Sequence, residues 1–380
     1  MIYFDSAASS FRRPKAVGQA VLRAMDTMGN GYRGTHGAAL ASARVIHGTR
    51  ELLSELFNAG GADRVAFTAN ATASLNMAIK GLLSPGEHAV TTVLEHNSVL
   101  RPLYELEARG LELTIVGCDE KGRLLYDALE SAVKENTRAV ICTHASNLTG
   151  NVTDIRRIGS SCRERGILFI VDAAQTAGIF PIDMERDRID VLCFSGHKGL
   201  MGPQGTGAIC VRRGLEIRPL MTGGSGFKSF SKTQPEEMPA VLEAGTLNGH
   251  GIAGLGAALE YIRDTGMDKI RLKEQRLTKE FYLGAREIPG IRIYGDFSDF
   301  GRAPTAAFNL GEADSGEVCM RLESDYGIYS RGGAHCAPLM HRALGTENQG
   351  AVRFSFSHYN TLSEIRASLE ALKELACALS

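Results

Sequence analysis

The sequence predicts an α/β protein whose large domain is built on a mostly parallel, seven-stranded sheet with helices on both faces, followed by a smaller C-terminal α+β domain. Three observations lead there. Between about residues 63 and 212, short apolar runs alternate with amphipathic stretches, which is the pattern of strand–helix–strand crossovers. Several runs, such as ILFIV and AVICT, are apolar nearly throughout, as strands covered on both faces must be. After Gly223 the alternation stops: residues 223–250 are rich in glycine, serine and polar groups, and longer helical patterns follow. At 380 residues the chain also exceeds the ~250–300 at which one hydrophobic core stops growing, so two domains are expected.

In order, the expected strands are Arg64–Thr68, His88–Val93, Leu111–Val116, Arg138–Thr143, Ile167–Val171, Asp190–Phe194 and Ala208–Val211. The amphipathic stretches between them are Ala73–Leu83, Val99–Arg109, Leu124–Glu135 and Ile155–Arg165. Beyond the polar stretch, Gly251–Thr265 and residues 267–287 and 314–325 read as helices, and residues 291–294, 305–310 and 351–356 as short strands. Thr361–Leu379 closes the chain as an amphipathic helix with Leu362, Ile365, Leu369, Leu372 and Leu375 on one side.

Apolar residues make up 44% and charged residues 22%, an ordinary globular balance. The net charge of −1 gives no electrostatic reason to expect nucleic acid or an anionic membrane as a partner. The start, MIYFDSAASS, lacks a basic and apolar leader pattern, and no run approaches the ~18 apolar residues of a membrane helix. The eight cysteines are scattered with no CxxC pair, which argues against zinc ribbons or a redox dithiol, so no metal is expected. They suit a reduced, cytoplasmic protein in which most act as small core hydrophobes.

Ligands of open α/β sheets bind beyond the carboxyl ends of the strands, so the polar residues that follow strands carry the functional signal. Ile167–Val171 runs into Asp172, Ala173, Ala174 and Gln175. A carboxylate there needs a cationic partner, although a lone aspartate serves equally well as a helix cap. The next strand ends in Ser195-Gly196-His197-Lys198-Gly199, and on its own that lysine reads as a solvated surface group. Together they match a pyridinium cofactor, which needs a carboxylate at its ring nitrogen and an amine at its carbonyl. Ser195 and His197 offer donors to a phosphate, as does the helix start at Asn70-Ala71-Thr72, where Thr72 is otherwise a capping residue. His96 follows another strand and either stacks on a planar ring or is structural. Asn147 either addresses a ring hydroxyl or substrate carboxylate or simply makes a turn. Cys336, in RGGAHCAP, lies between glycines and a proline in a loop, beside a histidine and an arginine. Those are surroundings that favour a thiolate.

With these residues in place, the sequence resembles the class V aminotransferase family, and within it the cysteine desulfurases and selenocysteine lyases. The matching motifs are FTANATASLN, LEHNSVLRP, THASNLTG, VDAAQTAG, FSGHKGLMGPQGTG, EAGTLNGHGIAGLGAALEYI and SRGGAHCAPLM followed by VRFSFSHYN. They run in family order from YFDSAAS nearly to the C-terminus. The resemblance implies a fold-type I transferase that uses pyridoxal 5′-phosphate, with residues 15–250 as the large cofactor-binding domain. Residues 1–14 and 251–380 then form the small domain that carries the cysteine loop. It implies Lys198 as the Schiff-base lysine, Asp172 as partner of the pyridine nitrogen, and Gln175 as contact to the ring hydroxyl. His96 is the ring-stacking acid–base group, and Ala71, Thr72, Ser195 and His197 are cofactor contacts on the phosphate side. Thr246 reaches the phosphate of a neighbouring subunit, which implies a homodimer with shared sites. Asn147 and Arg353 hold the substrate carboxylate, and Arg331 is a second active-site arginine.

The implied reaction removes sulfur from L-cysteine through a persulfide on Cys336 and releases L-alanine, with a sulfur- or selenium-acceptor protein as the next partner. L-selenocysteine or another β-substituted amino acid remains an alternative substrate, and transamination an alternative reaction. A scaffold without activity has no use for Lys198, Asp172, His96 and Arg353 together. Two departures stand out. Better-known desulfurases with this loop type have one more residue between the cysteine and the proline, and a second histidine where this chain has Asn97. His341 and Arg342 have no clear counterpart. Tyr32, Arg33 and His36 either line the substrate site or belong to a mobile polar loop.

Overall fold

The computed structural model describes residues 1–31 and 34–379. A short strand, β1 (Ile2–Tyr3), opens the chain and is followed by α1 (Lys15–Thr27) and α2 (Gly37–Phe57). The alternating region gives β2 (Val65–Thr68), α3 (Ala71–Leu82), β3 (His88–Thr92), α4 (Asn97–Glu107), β4 (Glu112–Val116), α5 (Tyr126–Ser131), β5 (Thr137–Thr143), α6 (Ile155–Glu164), β6 (Leu168–Asp172), β7 (Val191–Ser195) and β8 (Gly207–Val211). The rest comprises α7 (Gly249–Thr265), α8 (Met267–Ala285), β9 (Ile291–Tyr294), β10 (Thr305–Leu310), α9 (Ser315–Tyr326), β11 (Ile328–Tyr329), α10 (Pro338–Leu344), β12 (Val352–Ser355) and α11 (Leu362–Leu379).

The central sheet has seven strands in the order β2-β8-β7-β6-β5-β3-β4. Only β8 runs against its neighbours; the pairs from β7 to β4 are all parallel. Alternate residues of each strand enter different cores. Phe67, Val90, Val140, Phe169, Val171, Leu192 and Phe194 face α2, α6 and α7, whereas Ala66, Ala89, Ile141, Ile170, Val191 and Ile209 face α3 and α4. Burial on both faces is why several of these strands are apolar nearly throughout. Cys142, Cys193 and Cys210 are fully buried members of these layers.

The expected strands lie within a residue or two of the observed ones. The stretch Leu124–Glu135 shortens to the six-residue α5, because Leu124 is drawn into a bridge with Cys118 and Lys134 N–H turns to the Thr137 hydroxyl. The helices α1 and α2 precede the first sheet strand, outside the region that the alternation describes. A second, antiparallel sheet, β12-β10-β9, is covered by α8, α9 and α11. Its core is aromatic: Phe4, Phe281, Phe308, Phe354 and Phe356 are each no more than 1% exposed. Phe4, five residues from the N-terminus at most, has ring contacts of 5.1 and 5.0 Å to Phe354 and Phe356, which anchors the start of the chain beside β12.

One buried ion pair ties the polar 223–250 stretch to the large sheet. Glu243 receives Arg50 bidentately at 2.7 and 2.6 Å and accepts from Phe67 N at 2.7 Å. The Arg50 guanidinium also lies 4.7 Å over the Phe67 ring. Breaking such a pair leaves a buried charge without compensation. Glu243→Ala is therefore expected to cost about 3–5 kcal/mol of stability, read by denaturant titration; a cost below about 1 kcal/mol contradicts the role given to the clamp.

Burial also sets the response to pH. It pushes His96, His144, His197 and His358 down to about 4 and His335 to about 2, and pushes Glu95 and Glu274 up to about 8. Below an unfolded histidine value of about 6.5, the unfolded chain takes up protons that the native state refuses, so stability falls as pH drops towards 4. Above about 4.5, the unfolded chain releases protons that the native glutamates keep, so stability falls as pH rises towards 8. The five histidines outweigh the two glutamates in the acid range. Melting temperature should therefore peak near pH ~6.5, and the combined Glu95→Gln and Glu274→Gln variant should flatten the decline above it.

Candidate active site

The site grows from the carboxyl ends of β6 and β7. Asp172, the last residue of β6, is 3% exposed, and its Oδ1 accepts from Ala174 N at 2.9 Å. Burial raises its pKa, and the Ala174 hydrogen bond and Lys198 pull it back down. The turn after β7 carries Lys198. Burial lowers its pKa to about 8, with Asp172 opposing and Arg353 and Arg331 adding to the fall. Among the described residues this amine has neither a hydrogen-bond nor an ion-pair partner. A half-buried amine and a buried carboxylate thus stand at the ends of adjacent strands without closing on each other.

The opposite wall is the start of α3. Asn70 caps the helix by accepting from Ala73 N at 3.0 Å, and Ala71 N donates to the Ser195 hydroxyl at 2.9 Å. The approach requires a glycine on β8, since a Cβ on Gly207 would lie 2.9 Å from Asn70 Cα. Thr72 is exposed, and its hydroxyl shares a 2.7 Å hydrogen bond with Ser98. His96 caps α4: its Nδ1 accepts from Ser98 N at 3.0 Å and meets the Ser98 hydroxyl at 2.9 Å. With Nδ1 accepting, the neutral ring carries its proton on Nε2, and burial, with Lys198 nearby, holds its pKa at about 4.

The N-terminal segment closes another side. Ser10 N donates to His197 O at 2.9 Å, and its hydroxyl donates to Lys198 O at 2.6 Å. His197 Nδ1 meets the Ser9 hydroxyl at 3.2 Å, and Gln175 donates to Ala7 O at 3.2 Å. Asp5 pairs with Arg353 at 2.8 Å. Sequence reading assigned no role to these N-terminal residues, although YFDSAASS is a run of small polar residues after a short apolar strand. Ser98, which joins Thr72 to His96, was also missed.

The cysteine loop forms the roof. His335 and Cys336 both have left-handed backbones, with φ of +51° and +54°. Asn147 donates to His335 O at 2.8 Å, and Asn97 N donates to Cys336 O at 2.8 Å. The Cys336 side chain is exposed. His335 is buried and neutral, its pKa driven to about 2 by burial and by Arg353, so it supplies no positive charge to the thiol beside it. Its ring lies parallel to that of buried His341, with centroids 5.8 Å apart, while Arg342 points away to Glu347. Arg331 is exposed and bridges to Arg353 through the backbone.

Lys198, Asp172, Gln175, His96, Ala71, Thr72, Ser195, His197, Asn147, Arg353, Arg331 and Cys336 therefore surround one region. Thr246 stands apart. It is exposed and lines a separate cleft with Met28, Gly31, Ser42 and His250. His36 caps α2 by accepting from Ala39 N, and Tyr32 and Arg33 lie outside the described residues. No group of three or more metal-ligating side chains occurs among the described residues.

The family model for class V aminotransferases matches residues 2–367. A probable cysteine desulfurase of Methanothermobacter thermautotrophicus is 35% identical over 99% of this chain and 94% of its own length. The apo structure of a cysteine desulfurase from Thermococcus onnurineus NA1 superposes with a TM-score of 0.93 at 32% identity, covering 99% of this chain and 95% of the other. The Escherichia coli cysteine desulfurase CsdA, in an S-sulfonic acid form, gives 0.88 at 28% identity, covering 99% and 94%. A match over nearly the whole length means that this chain belongs to the class V aminotransferase family.

Proposed function

We propose that this chain is a pyridoxal-phosphate-dependent cysteine desulfurase that takes sulfur from L-cysteine onto Cys336 and releases L-alanine. The observation that carries the reading is a half-buried, unpartnered Lys198 amine electrostatically coupled to a buried Asp172 carboxylate, beneath a loop that presents an exposed thiol. The residues fit the cofactor. Asn147 Oδ1 is buried with no hydrogen-bond partner, an acceptor suited to a ring hydroxyl. The Ala71 and Thr72 end of α3, with Ser195 and His197, would hold the phosphate. Bound pyridoxal phosphate supplies an electron sink that makes the substrate Cα acidic.

The protein's own residues do the rest. Asp172 would keep a proton on the cofactor's ring nitrogen, because a buried carboxylate favours a cationic partner. Lys198 would anchor the cofactor and, with its pKa lowered to about 8, move protons at the substrate carbon. His96, neutral with its Nε2 proton available, would give and take protons as a general acid–base group. Arg353 takes the α-carboxylate. The Cys336 thiolate attacks the substrate sulfur: an S–S bond forms, the C–S bond breaks, and its electron pair passes to the carbon skeleton, which leaves as alanine once protonated.

Thr246, exposed and away from its own site, is suited to completing the phosphate site of a second copy, so the working unit is a homodimer. A protein acceptor then takes the sulfur. The eight cysteines form no disulfide, which suits a reducing compartment such as the cytoplasm.

Lys198→Ala is expected to abolish the cofactor's imine absorbance and all turnover; turnover surviving without this lysine contradicts the scheme. Cys336→Ser should keep the cofactor absorbance and lose at least about 10²-fold in alanine release from L-cysteine. If Cys336→Ser releases alanine at the wild-type rate, the thiol is a bystander and a β-elimination or transamination takes the place of sulfur transfer.

A further inference from the structure

Arg353 is 1% exposed, the largest of the fully buried side chains. A guanidinium at that depth needs a counter-charge, and the chain supplies it from 348 positions away: Asp5 Oδ1 accepts from Nη2 at 2.8 Å. On the other side, Nη1 donates to Asn147 O at 3.0 Å. Nε is buried and has no partner. Two of the three nitrogens are thus held by the protein, and one edge of the fork is left for something else. The nearby Arg331 is exposed and, among the described residues, forms no ion pair.

Asp5 is itself firmly placed. β1 pairs in parallel with β11, Asp5 bridges to Ser355, and Ala7 N donates to the Ser355 hydroxyl at 2.9 Å. The Phe4 ring is locked into the aromatic core one residue earlier. A few residues on, the same segment bonds to the turn that carries Lys198. The aim of Arg353 is therefore set by a rigid partner, and little side-chain freedom remains to be lost when a carboxylate arrives.

We infer that Asp5 is a positioning residue for substrate binding: by holding Nη2 it orients the Arg353 fork so that its Nε edge receives the α-carboxylate of the amino-acid substrate. The inference rests on the reading above, in which Arg353 takes that carboxylate. Asp5 works through the geometry of its hydrogen bond, so an acceptor of the same shape can replace it, whereas a displaced one cannot.

The test uses the holoenzyme and four variants: Asp5→Ala, Asp5→Asn, Asp5→Glu and Arg353→Ala. For each, the Kd of L-alanine is read from the change in cofactor absorbance, KM and kcat are measured with L-cysteine, and a melting curve is recorded. Asp5→Ala should raise Kd and KM about tenfold and lower kcat by no more than about threefold, as expected for loss of a hydrogen bond to a charged group that serves binding. Asp5→Asn still accepts from Nη2 and should recover most of that affinity. Asp5→Glu keeps the charge but shifts the oxygen by one methylene, and should bind as poorly as Asp5→Ala. If Asp5→Ala fails to fold, the contrast between the asparagine and glutamate variants decides. Unchanged or tighter binding in Asp5→Ala or Asp5→Glu, with weaker binding in Arg353→Ala, overturns the inference and leaves the proposed function standing. Unchanged binding in Arg353→Ala overturns the carboxylate assignment itself.

Discussion

The parallel pairing of β6 with β7 sets Asp172 opposite Cys193, so that β7 runs on for two more residues before the turn that carries Lys198. This stagger brings a carboxylate and an amine to the same end of the sheet at different heights. Each is costly to bury alone, and each shifts the other towards its charged form. They remain separate because their strands are fixed by apolar layers on both faces, which no local rearrangement can relax without opening a core. A one-residue slip of β7 would send alternate side chains into the wrong layer. The register that keeps the core intact is thus the same register that keeps the site open.

Around this pair, groups from distant parts of the chain are joined by short hydrogen bonds. Thr72, Ser98 and His96 connect the starts of α3 and α4. Both helices begin just after strands of the large sheet, and their first-turn N–H groups are taken by Ser195, Asn70, His96 and the Cys336 carbonyl. The small sheet contributes Arg353, on β12. Residues 5–10 run between the two sheets and bond to both.

The cysteine loop shows how the fold holds an unfavourable backbone. Two consecutive non-glycine residues in the left-handed region cost roughly 1–2 kcal/mol each. The loop stays there because its carbonyls are taken by Asn147 and by Asn97 N, and because Pro338 starts α10 immediately after it. The result is a thiol on the outside of the loop and a histidine on the inside. That division could not be read from RGGAHCAP, in which the two residues are merely neighbours.

Much of the fold was legible because burial on both faces leaves an unmistakable apolar strand, and because crossover connections force strands and helices to alternate. The positions of Asp172, Lys198, His96, Asn147 and Ser195 were legible for a related reason: an open parallel sheet binds ligands at the carboxyl ends of its strands, and polar residues stand out there. What lay beyond the sequence were relations between segments far apart in the chain. Asp5 meets Arg353 across 348 positions, and no local pattern announces a partner at that distance. Glu243 meets Arg50 and Phe67 from within a stretch that reads as an irregular polar loop. The exposure of Cys336 and the neutrality of His335 followed only from three-dimensional burial, because desolvation depends on what packs around a group rather than on its neighbours in the chain. The sequence by itself determined which residues could do the chemistry and at which strand ends they stand. The tertiary structure decided which of them are paired, which are left open to a ligand, and which charges survive, since pairing and desolvation are properties of packed surfaces.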